Sequence, residues 1–199
     1  MFTRMVTFTG ASDIDAGLRY LKDTVVPLLR EQRGFRGVTA SVDRAGGVLG
    51  VLSLWETEAD RDASESPMSK TRAEAQRVIG GELSVEEFEE LLVEMRGRPE
   101  VGQALLLRRT SMAPDKIDGN LDYFRQEVLP QIASAPGFRT LRNMINRRTG
   151  EGMVGSLWAD AAARDAAAAA AEARRPQAAQ RGVTLGEQSK RELVYVELP

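Results

Sequence analysis

The chain has 199 residues, of which 42% are apolar, enough to fill the core of one large domain or two small ones. Its 27 basic and 29 acidic side chains leave a net charge of −2, which argues against binding to nucleic acid or to an anionic membrane surface. Cysteine and histidine are both absent, which excludes disulfide scaffolds, thiol nucleophiles, thiolate or imidazole metal sites and histidine general bases.

The first half of the chain alternates between strand and helix periodicities. Gly34 follows the first helical pattern and suits a helix exit turn, and Gly46 and Gly47 lie in a turn between two strands that form a hairpin. In chain order the predicted elements are a strand at 2–9, a helix at 13–33, strands at 36–43 and 48–55, a helix at 57–79 and a strand at 86–95.

The second half repeats this order, because residues 1–96 align with residues 104–199 without a gap. Identical residues fall where structure requires them, and they include Tyr20 with Tyr123, Pro27 with Pro130, Gly34-Phe35-Arg36 with Gly137-Phe138-Arg139, and Trp55 with Trp158. The repeated elements are a strand at 104–111, a helix at 116–135, a hairpin, a helix at 160–181 and a strand at 189–198. We therefore predict one repeat at 1–96, a linker at 97–103 and a second repeat at 104–199.

The order βαββαβ, twice, predicts two ferredoxin-like repeats of the α+β class, each with helices on one face of a four-stranded antiparallel sheet. The predicted strand at 48–55 is apolar at nearly every position, so both of its faces are expected to lie against protein. Two copies in one chain can cover each other sheet to sheet. We expect an intramolecular α/β barrel, a monomer built as a pseudo-dimer, and leave further association of full chains open.

The run GFRGVTASVDRAGGVLGVLSLWETEADRDAS and its counterpart GFRTLRNMINRRTGEGMVGSLWADAAARDAA resemble the antibiotic-biosynthesis monooxygenase (ABM) group of the dimeric α/β-barrel superfamily. In that group a Gly-Phe pair follows the first helix and a Trp ends the third strand. The resemblance covers nearly the whole chain as two copies. It implies that a barrel usually built from two identical subunits forms here within one chain.

Members of this superfamily include oxygenases that hydroxylate polycyclic phenols without metal or flavin, haem-degrading enzymes and proteins without an assigned activity. The resemblance to the oxygenases implies a planar substrate that ionises and reacts with oxygen in a pocket between the sheet and its helices. In such a site the protein positions the substrate and excludes water. It needs aromatic walls and a few hydrogen-bond donors, and it needs no histidine.

Trp55 and Trp158 match the family's Trp and can stack on a planar ligand while the indole N–H holds a polar atom. Tyr20 and Tyr123, on the first helix of each repeat, can add a phenol to the same pocket. The structural alternative for the Trp pair is a core residue between helix and sheet. For the Tyr pair it is an amphipathic residue with its hydroxyl in water.

Arginines form the second set of candidate ligand-binding residues. Arg36 and Arg139 open the second strand of each repeat and can neutralise a phenolate or a carboxylate; the alternative is a structural role at the preceding helix end. The first strand of the second repeat places Arg108 and Arg109 on opposite faces, where the gapless alignment puts Met5 and Val6 in the first. A buried arginine must pair with an acidic side chain or await an anionic ligand.

If only one repeat has a working pocket, further differences between the repeats point to the second. Asn143 stands where the first repeat has Ala40 and adds a polar group to the second copy alone. The run at 161–171 is rich in alanine, which either reflects helix propensity or leaves room for a ligand. The first repeat fills the equivalent positions with larger residues such as Met68.

No bound cofactor is expected. A nicotinamide or flavin site lacks support because no glycine-rich loop joins a strand to a helix. A haem site lacks support because the chain has no histidine to hold the iron. No run approaches the roughly 18 apolar residues of a membrane span, and the N-terminus has no secretory leader pattern. The sequence therefore predicts a cytoplasmic protein without membrane, nucleic-acid or metal partners.

Two functional interpretations remain. The first is an ABM-like protein that binds a small planar aromatic or apolar ligand between sheet and helices, as a cofactor-independent monooxygenase. The second is a non-catalytic barrel with degenerate pockets that carries a ligand or associates with proteins. Aromatic residues at family positions favour the first, and the lack of a clear general base favours the second. The sequence identifies no catalytic residue.

Overall fold

A computed structural model of the protein describes residues 1–198, which divide into two compact units. Unit 1 contains Met1–Glu87 and the C-terminal segment that begins at Leu193, and unit 2 contains Phe88–Glu192. Two long strands run from one unit into the other, so the units do not coincide with the predicted repeats. The boundaries of the repeats remain a prediction.

In unit 1 the central strand pairs in antiparallel fashion with the first and second strands, and Val51 lies opposite both Val6 and Ala40. The elements are β1 (Phe2–Thr9), α1 (Ile14–Tyr20), α2 (Val26–Arg30), β2 (Phe35–Asp43), β3 (Val48–Trp55), α3 (Glu58–Ala63), α4 (Glu65–Ile79) and the first part of β4 (Glu82–Met95).

Unit 2 follows the same plan, with its third strand between its first and second. The elements are β5 (Ala104–Ser111), α5 (Ile117–Tyr123), α6 (Leu129–Ala133), β6 (Phe138–Ile145), β7 (Glu151–Trp158), α7 (Ala161–Ala173), α8 (Arg175–Gln180) and β8 (Thr184–Glu197). Within this unit β8 also pairs with β5, and the second part of β4 pairs with β6.

The eight strands hydrogen-bond in the order β1-β3-β2-β8-β5-β7-β6-β4 and form a closed barrel. The expected α+β class with an antiparallel eight-stranded barrel is therefore confirmed. Strands β1, β3 and β5 have the predicted bounds. Strands β4 and β8 begin four and five residues earlier than predicted. The preceding helices are followed by glycines with positive φ angles, Gly80 and Gly182, and both glycines lie well before the predicted strand starts.

Each predicted first helix is divided by one π-helical turn, at Leu21–Val25 in unit 1 and at Phe124–Val128 in unit 2. A proline follows closely in both units, Pro27 and Pro130. Proline has no N–H, and its ring crowds the carbonyl one turn earlier, so the helix widens just before it. A helix with this local widening therefore covers the sheet in each unit.

A tryptophan at the end of the third strand closes the core of each unit. Trp55 is fully buried and packs edge-on against Phe35, with ring centroids 5.7 Å apart. Trp158 makes the same contact with Phe138 at 5.6 Å. Gly34 and Gly137, at the predicted helix exits, adopt positive φ angles of 70° and 80°, which favour glycine.

A buried arginine ties three elements of unit 1 together. The side chain of Arg4 is 3% exposed, and its Nε and Nη2 donate to the carboxylate of Glu87 at 3.0 and 2.8 Å. Its Nη1 donates to Ser64 Oγ at 2.7 Å, and Nη2 also donates to the carbonyl of Arg61 at 2.9 Å. The charge is therefore neutralised and its donors are satisfied inside the unit.

We expect Arg4→Met to lower the free energy of unfolding by about 3 kcal/mol, because it removes one partner of a buried ion pair. The matched control is Arg36→Met. Arg36 pairs with Glu56 at 2.5 Å but is 47% exposed, so its loss costs less than about 1 kcal/mol. Urea unfolding of both variants measures the difference. Equal losses would contradict a special role for Arg4.

Candidate functional site

Unit 2 contains a cavity of about 230 Å³ between the sheet face of β5, β7 and β6 and the helices α5 to α8. Residues paired across antiparallel strands point to the same face of a sheet, and we call three residues paired in this way across β5, β7 and β6 a rung. Successive residues along a strand alternate between the two faces, so every second rung faces the cavity. Three such rungs face the cavity: Thr110–Gly152–Ile145, Arg108–Val154–Asn143 and Leu106–Ser156–Leu141. Trp158 follows on β7.

The helical side of the cavity is lined by small and aromatic residues. Ala167, Ala170 and Ala171 of α7 each contribute no more than a methyl group. Tyr123 ends α5, and Phe124 begins the π-helical turn that follows it. The alanine-rich helix α7 thus borders the open space, in line with the interpretation that its small side chains leave room for a ligand.

Unit 1 has only a small pocket of about 50 Å³ in its described residues at the corresponding place. Its rung Phe8–Leu49–Val42 matches Thr110–Gly152–Ile145, so two large side chains stand where unit 2 has a threonine and a glycine. Met68 also lines the pocket and follows Trp55 by the same number of residues as Ala171 follows Trp158. Side-chain volume therefore explains why unit 2 has the larger cavity.

Strand pairing changes the correspondence between the first strands of the two halves. Val6 lies opposite Val51, and Arg108 lies opposite Val154, so Arg108 occupies the place of Val6. The gapless alignment had matched Arg108 with Met5. One additional residue in unit 2, between β5 and α5, accounts for the difference.

Three of the predicted ligand-binding residues meet at this cavity: Trp158, Tyr123 and Asn143. Arg109 is exposed on the strand face opposite to Arg108 and does not line the cavity. Arg139 does not line it either; its backbone carbonyl accepts hydrogen bonds from Arg96 and Gly97.

The remaining predicted residues lie in unit 1. Tyr20 lines the small pocket, Trp55 belongs to the core cluster, and Arg36 forms an exposed ion pair with Glu56.

Both tryptophan N–H groups already have partners, since Trp55 Nε1 donates to Ser53 Oγ at 3.0 Å and Trp158 Nε1 to Ser156 Oγ at 2.9 Å. The expected hydrogen bond from the indole to a ligand is therefore not offered by this arrangement.

Polar lining residues on the helices were missed by the sequence analysis. Asn120, Gln131 and Arg174 line the cavity. A comparison of the two halves could have found them, because the same alignment puts Gly17, Leu28 and Thr71 at those positions, listed in the same order. The signal is an amide in place of Gly17 or Leu28, and a charged side chain in place of Thr71, on otherwise matching helices.

Arg108 is the most constrained polar group of the site. It is 5% exposed; its Nη1 donates to the carbonyl of Gly186 at 2.8 Å and its Nη2 to Glu172 Oε1 at 2.5 Å. Glu172 also accepts from Arg175, and these two arginines hold the pKa of its carboxyl below the ordinary value, with the Arg175 hydrogen bond the larger cause.

Two buried polar atoms at the cavity have no hydrogen-bond partner among the described residues: Arg108 Nε and Asn143 Oδ1. Nearer the surface, the guanidinium of Arg181 stacks on the ring of Tyr123 at 3.9 Å from its centroid.

Within residues 1–198, no group of three or more acidic side chains is arranged to hold a metal ion, and none of the helices is long and apolar enough to cross a membrane.

Among curated proteins, the chain is similar to an uncharacterized protein of Mycobacterium tuberculosis. The two are 29% identical over 151 residues, which cover 75% of this chain and 67% of that protein. A second uncharacterized protein of the same organism is 29% identical over 133 residues, covering 67% of this chain and 56% of the relative. No protein-family model matches the chain.

Three solved structures share the fold over nearly the whole chain. A Fusobacterium nucleatum protein provisionally named a monooxygenase has a TM-score of 0.70 at 11% identity and covers 99% of this chain and 94% of its own. An anthrone oxidase-like protein also reaches 0.70, at 15% identity and with 99% and 92% covered. A Listeria monocytogenes ferredoxin-fold protein related to antibiotic-biosynthesis monooxygenases reaches 0.55, at 10% identity and with 98% and 95% covered. The predicted resemblance is confirmed at the level of the fold.

The ion pairs of Glu172 with Arg175 and Arg108 predict a pH-dependent stability. The lowered pKa of Glu172 means that its contribution is complete above its ordinary pKa of 4.5 and is lost as the pH falls through the lower folded value. We expect Glu172→Gln to lower the urea midpoint at neutral pH and the difference from the parent to shrink with increasing acidity. The exposed Glu187→Gln serves as control. A difference that stays constant down to acid pH would contradict a charge effect.

Proposed function

We propose that this chain, which has the fold of the ABM group of the dimeric α/β-barrel superfamily, binds one small planar aromatic or apolar ligand in the cavity of unit 2. The observation that carries the proposal is the preformed space of about 230 Å³. An apolar cavity of about 150 Å³ binds benzene, so a molecule of one or two fused rings suits this one. The ligand would lie between the sheet rungs and α7.

Aromatic surfaces at the cavity support a planar ligand. Trp158 offers a ring whose N–H is already bonded to Ser156, so its contribution is stacking or edge contact. Tyr123 and Phe124 lie on the helical side. Together with Leu106 and Leu141, which flank Ser156 on the sheet, they form the walls that a flat, mostly apolar molecule needs.

The reaction that we propose for the bound ligand is oxidation by molecular oxygen without a cofactor. One structural neighbour is named a monooxygenase and another is anthrone oxidase-like. In the oxidation of anthrone, the ring CH₂ carbon becomes a carbonyl with one oxygen atom of O₂, and the other oxygen leaves as water with the two hydrogens. The protein would hold the ring and keep out water.

A haem-degrading role, known in the same superfamily, does not fit the donor set. The chain contains no histidine or cysteine to hold iron. Tyr123, the tyrosine of the cavity lining, is covered by the guanidinium of Arg181. The lining residues therefore favour an organic ligand over a metalloporphyrin.

Carriage of a ligand without turnover is the second candidate. The small pocket of unit 1 favours it, because Phe8, Leu49 and Met68 occupy the space that is open in unit 2. Unit 1 has thus kept the fold with a much smaller pocket at the corresponding place. A protein with one binding cavity and no chemical step would have the same architecture.

We expect 2-naphthol to bind with a stoichiometry of one per chain and Ala171→Met to weaken binding at least about tenfold, or about 1.4 kcal/mol. The methionine would fill the cavity as Met68 fills the small pocket of unit 1. Isothermal titration calorimetry measures both affinities. The control is Ala169→Met, on an exposed position of the same helix. Absent binding, or equal affinities for all three proteins, would overturn the proposal.

Oxygen consumption with 1-naphthol, whose two fused rings match the cavity volume, separates the two candidates. If the chain is an oxygenase, the protein accelerates oxygen uptake above the rate in buffer, with one O₂ consumed and one water released for each 1,4-naphthoquinone formed, and Ala171→Met slows it. An oxygen electrode and the absorbance of the product give the two readouts. Binding of 2-naphthol together with uptake at the buffer rate would replace the oxygenase by a carrier.

A further inference from the structure

We propose that the cavity of unit 2 selects aromatic ligands that carry an oxyanion and a hydrogen-bond donor, which Arg108 and Asn143 recognise from the two sides of Val154. The inference rests on the proposed function, because it specifies the ligand of the same cavity. It concerns which chemical groups the ring must carry. The oxyanion is a carboxylate or a phenolate.

The geometry of the sheet brings the two residues together. Arg108 on β5 and Asn143 on β6 both lie opposite Val154 of β7, so the three side chains form one rung on the cavity face. Residues opposite each other in antiparallel strands have α-carbons about 5 Å apart, which puts those of Arg108 and Asn143 roughly 10 Å apart. A flat ring lying over Val154 would have one residue at each edge. We call this set the polar rung.

Each end of the polar rung has an unmet hydrogen-bonding capacity. Arg108 Nε is a donor and Asn143 Oδ1 an acceptor, and neither has a partner in the described part of the chain. Both residues are more than nine-tenths buried, at 5% and 8% exposed. Buried polar groups without partners are rare and need an explanation, since desolvation without a hydrogen bond is costly. A ligand oxygen at Arg108 and a ligand hydroxyl or N–H at Asn143 would satisfy both.

The charges around the cavity favour an anion. Three arginines line it, Arg108, Arg174 and Arg181, while none of its lining residues in 1–198 is acidic. Glu172 pairs with Arg108 but is shared with Arg175, so that cluster of two arginines and one glutamate keeps one positive charge.

The two other arginines of the lining have neutral partners. Arg174 donates to Gln131 Oε1 at 3.4 Å. Arg181 donates to Asn120 Oδ1 at 3.1 Å and to the carbonyl of Gly119 at 3.4 Å. A guanidinium keeps its charge at all relevant pH values, so the cavity presents an uncompensated positive potential to a ligand.

Unit 1 supplies an internal comparison. The rung at the same position there is Val6–Val51–Ala40, which is entirely apolar. Polar residues therefore appear at both ends of this rung in the unit that has the larger cavity, and at neither end in the unit with the small pocket. A purely structural role for the two residues would give no reason for this coincidence.

Calorimetric titration with three naphthalene probes tests the inference: 2-naphthol carries a donor, 2-naphthoate an oxyanion, and 6-hydroxy-2-naphthoate both, at opposite ends of the ring system. The parent protein is expected to bind the third probe most tightly. Arg108→Met should weaken both carboxylates about tenfold and leave 2-naphthol nearly unchanged, whereas Asn143→Leu should weaken the two hydroxyl-bearing probes about fivefold. Titration of 4-nitrophenol, as the neutral phenol and as the phenolate, shows whether a phenolate replaces the carboxylate.

Two controls keep the outcomes distinct. Arg148→Met removes one positive charge from an exposed turn of unit 2 and should preserve every affinity. Arg108→Lys keeps the charge and should restore part of the carboxylate preference if Arg108→Met destabilises the unit. Equal affinities of the parent for the three probes, or equal losses in Arg148→Met and Arg108→Met, would overturn the polar rung and leave the cavity proposal standing. Failure of every probe to bind would overturn the cavity proposal itself.

Discussion

The antiparallel pairing of β7 with both β5 and β6 determines the composition of the cavity, because it decides which side chains share a face. Val154 lies between Arg108 and Asn143, and the neighbouring rungs on that face are apolar or small. A slip of one residue in either pairing would exchange the cavity-facing side chains for those on the other face. Every argument about ligand chemistry in this protein therefore depends on that register.

Buried arginines have different roles in the two units. Arg4 in unit 1 is neutralised by Glu87, and hydrogen bonds from Nε, Nη1 and Nη2 link β1 to α3, to Ser64 between α3 and α4, and to β4. Arg108 in unit 2 also has a carboxylate partner, but its Nε is unpaired among the described residues and it lines an open space. The first arrangement is complete without a ligand. The second becomes complete when an oxygen atom binds, and this difference supports a binding role for one buried arginine and a structural role for the other.

The same fold accommodates a nearly filled pocket and an open one by exchanging a few side chains. Leu49 and Met68 occupy in unit 1 the space that Gly152 and Ala171 leave free in unit 2. The backbone elements around both places are alike, since each unit has the same order of strands and helices. Likeness to proteins named for oxygenase chemistry describes this shared backbone, whereas binding depends on the volume and polarity of the side chains that line it.

Residue patterns alone predicted the order of the elements and the strand bounds of β1, β3 and β5, because periodicity, glycine and proline act locally. They left open whether Trp55 and Trp158 bind a ligand or fill the core, and both are buried. They also indicated that the second half differs by Asn143 and by the alanines of α7. The tertiary structure decided that Arg108 lines the cavity, while Arg109 lies exposed on the other face. Unit 2 has one additional residue between β5 and α5, which displaces β5 by one position relative to the gapless alignment of the halves, and such an alignment cannot detect this shift. Successive strand residues point to opposite faces, so only the observed register could identify which arginine meets the ligand space.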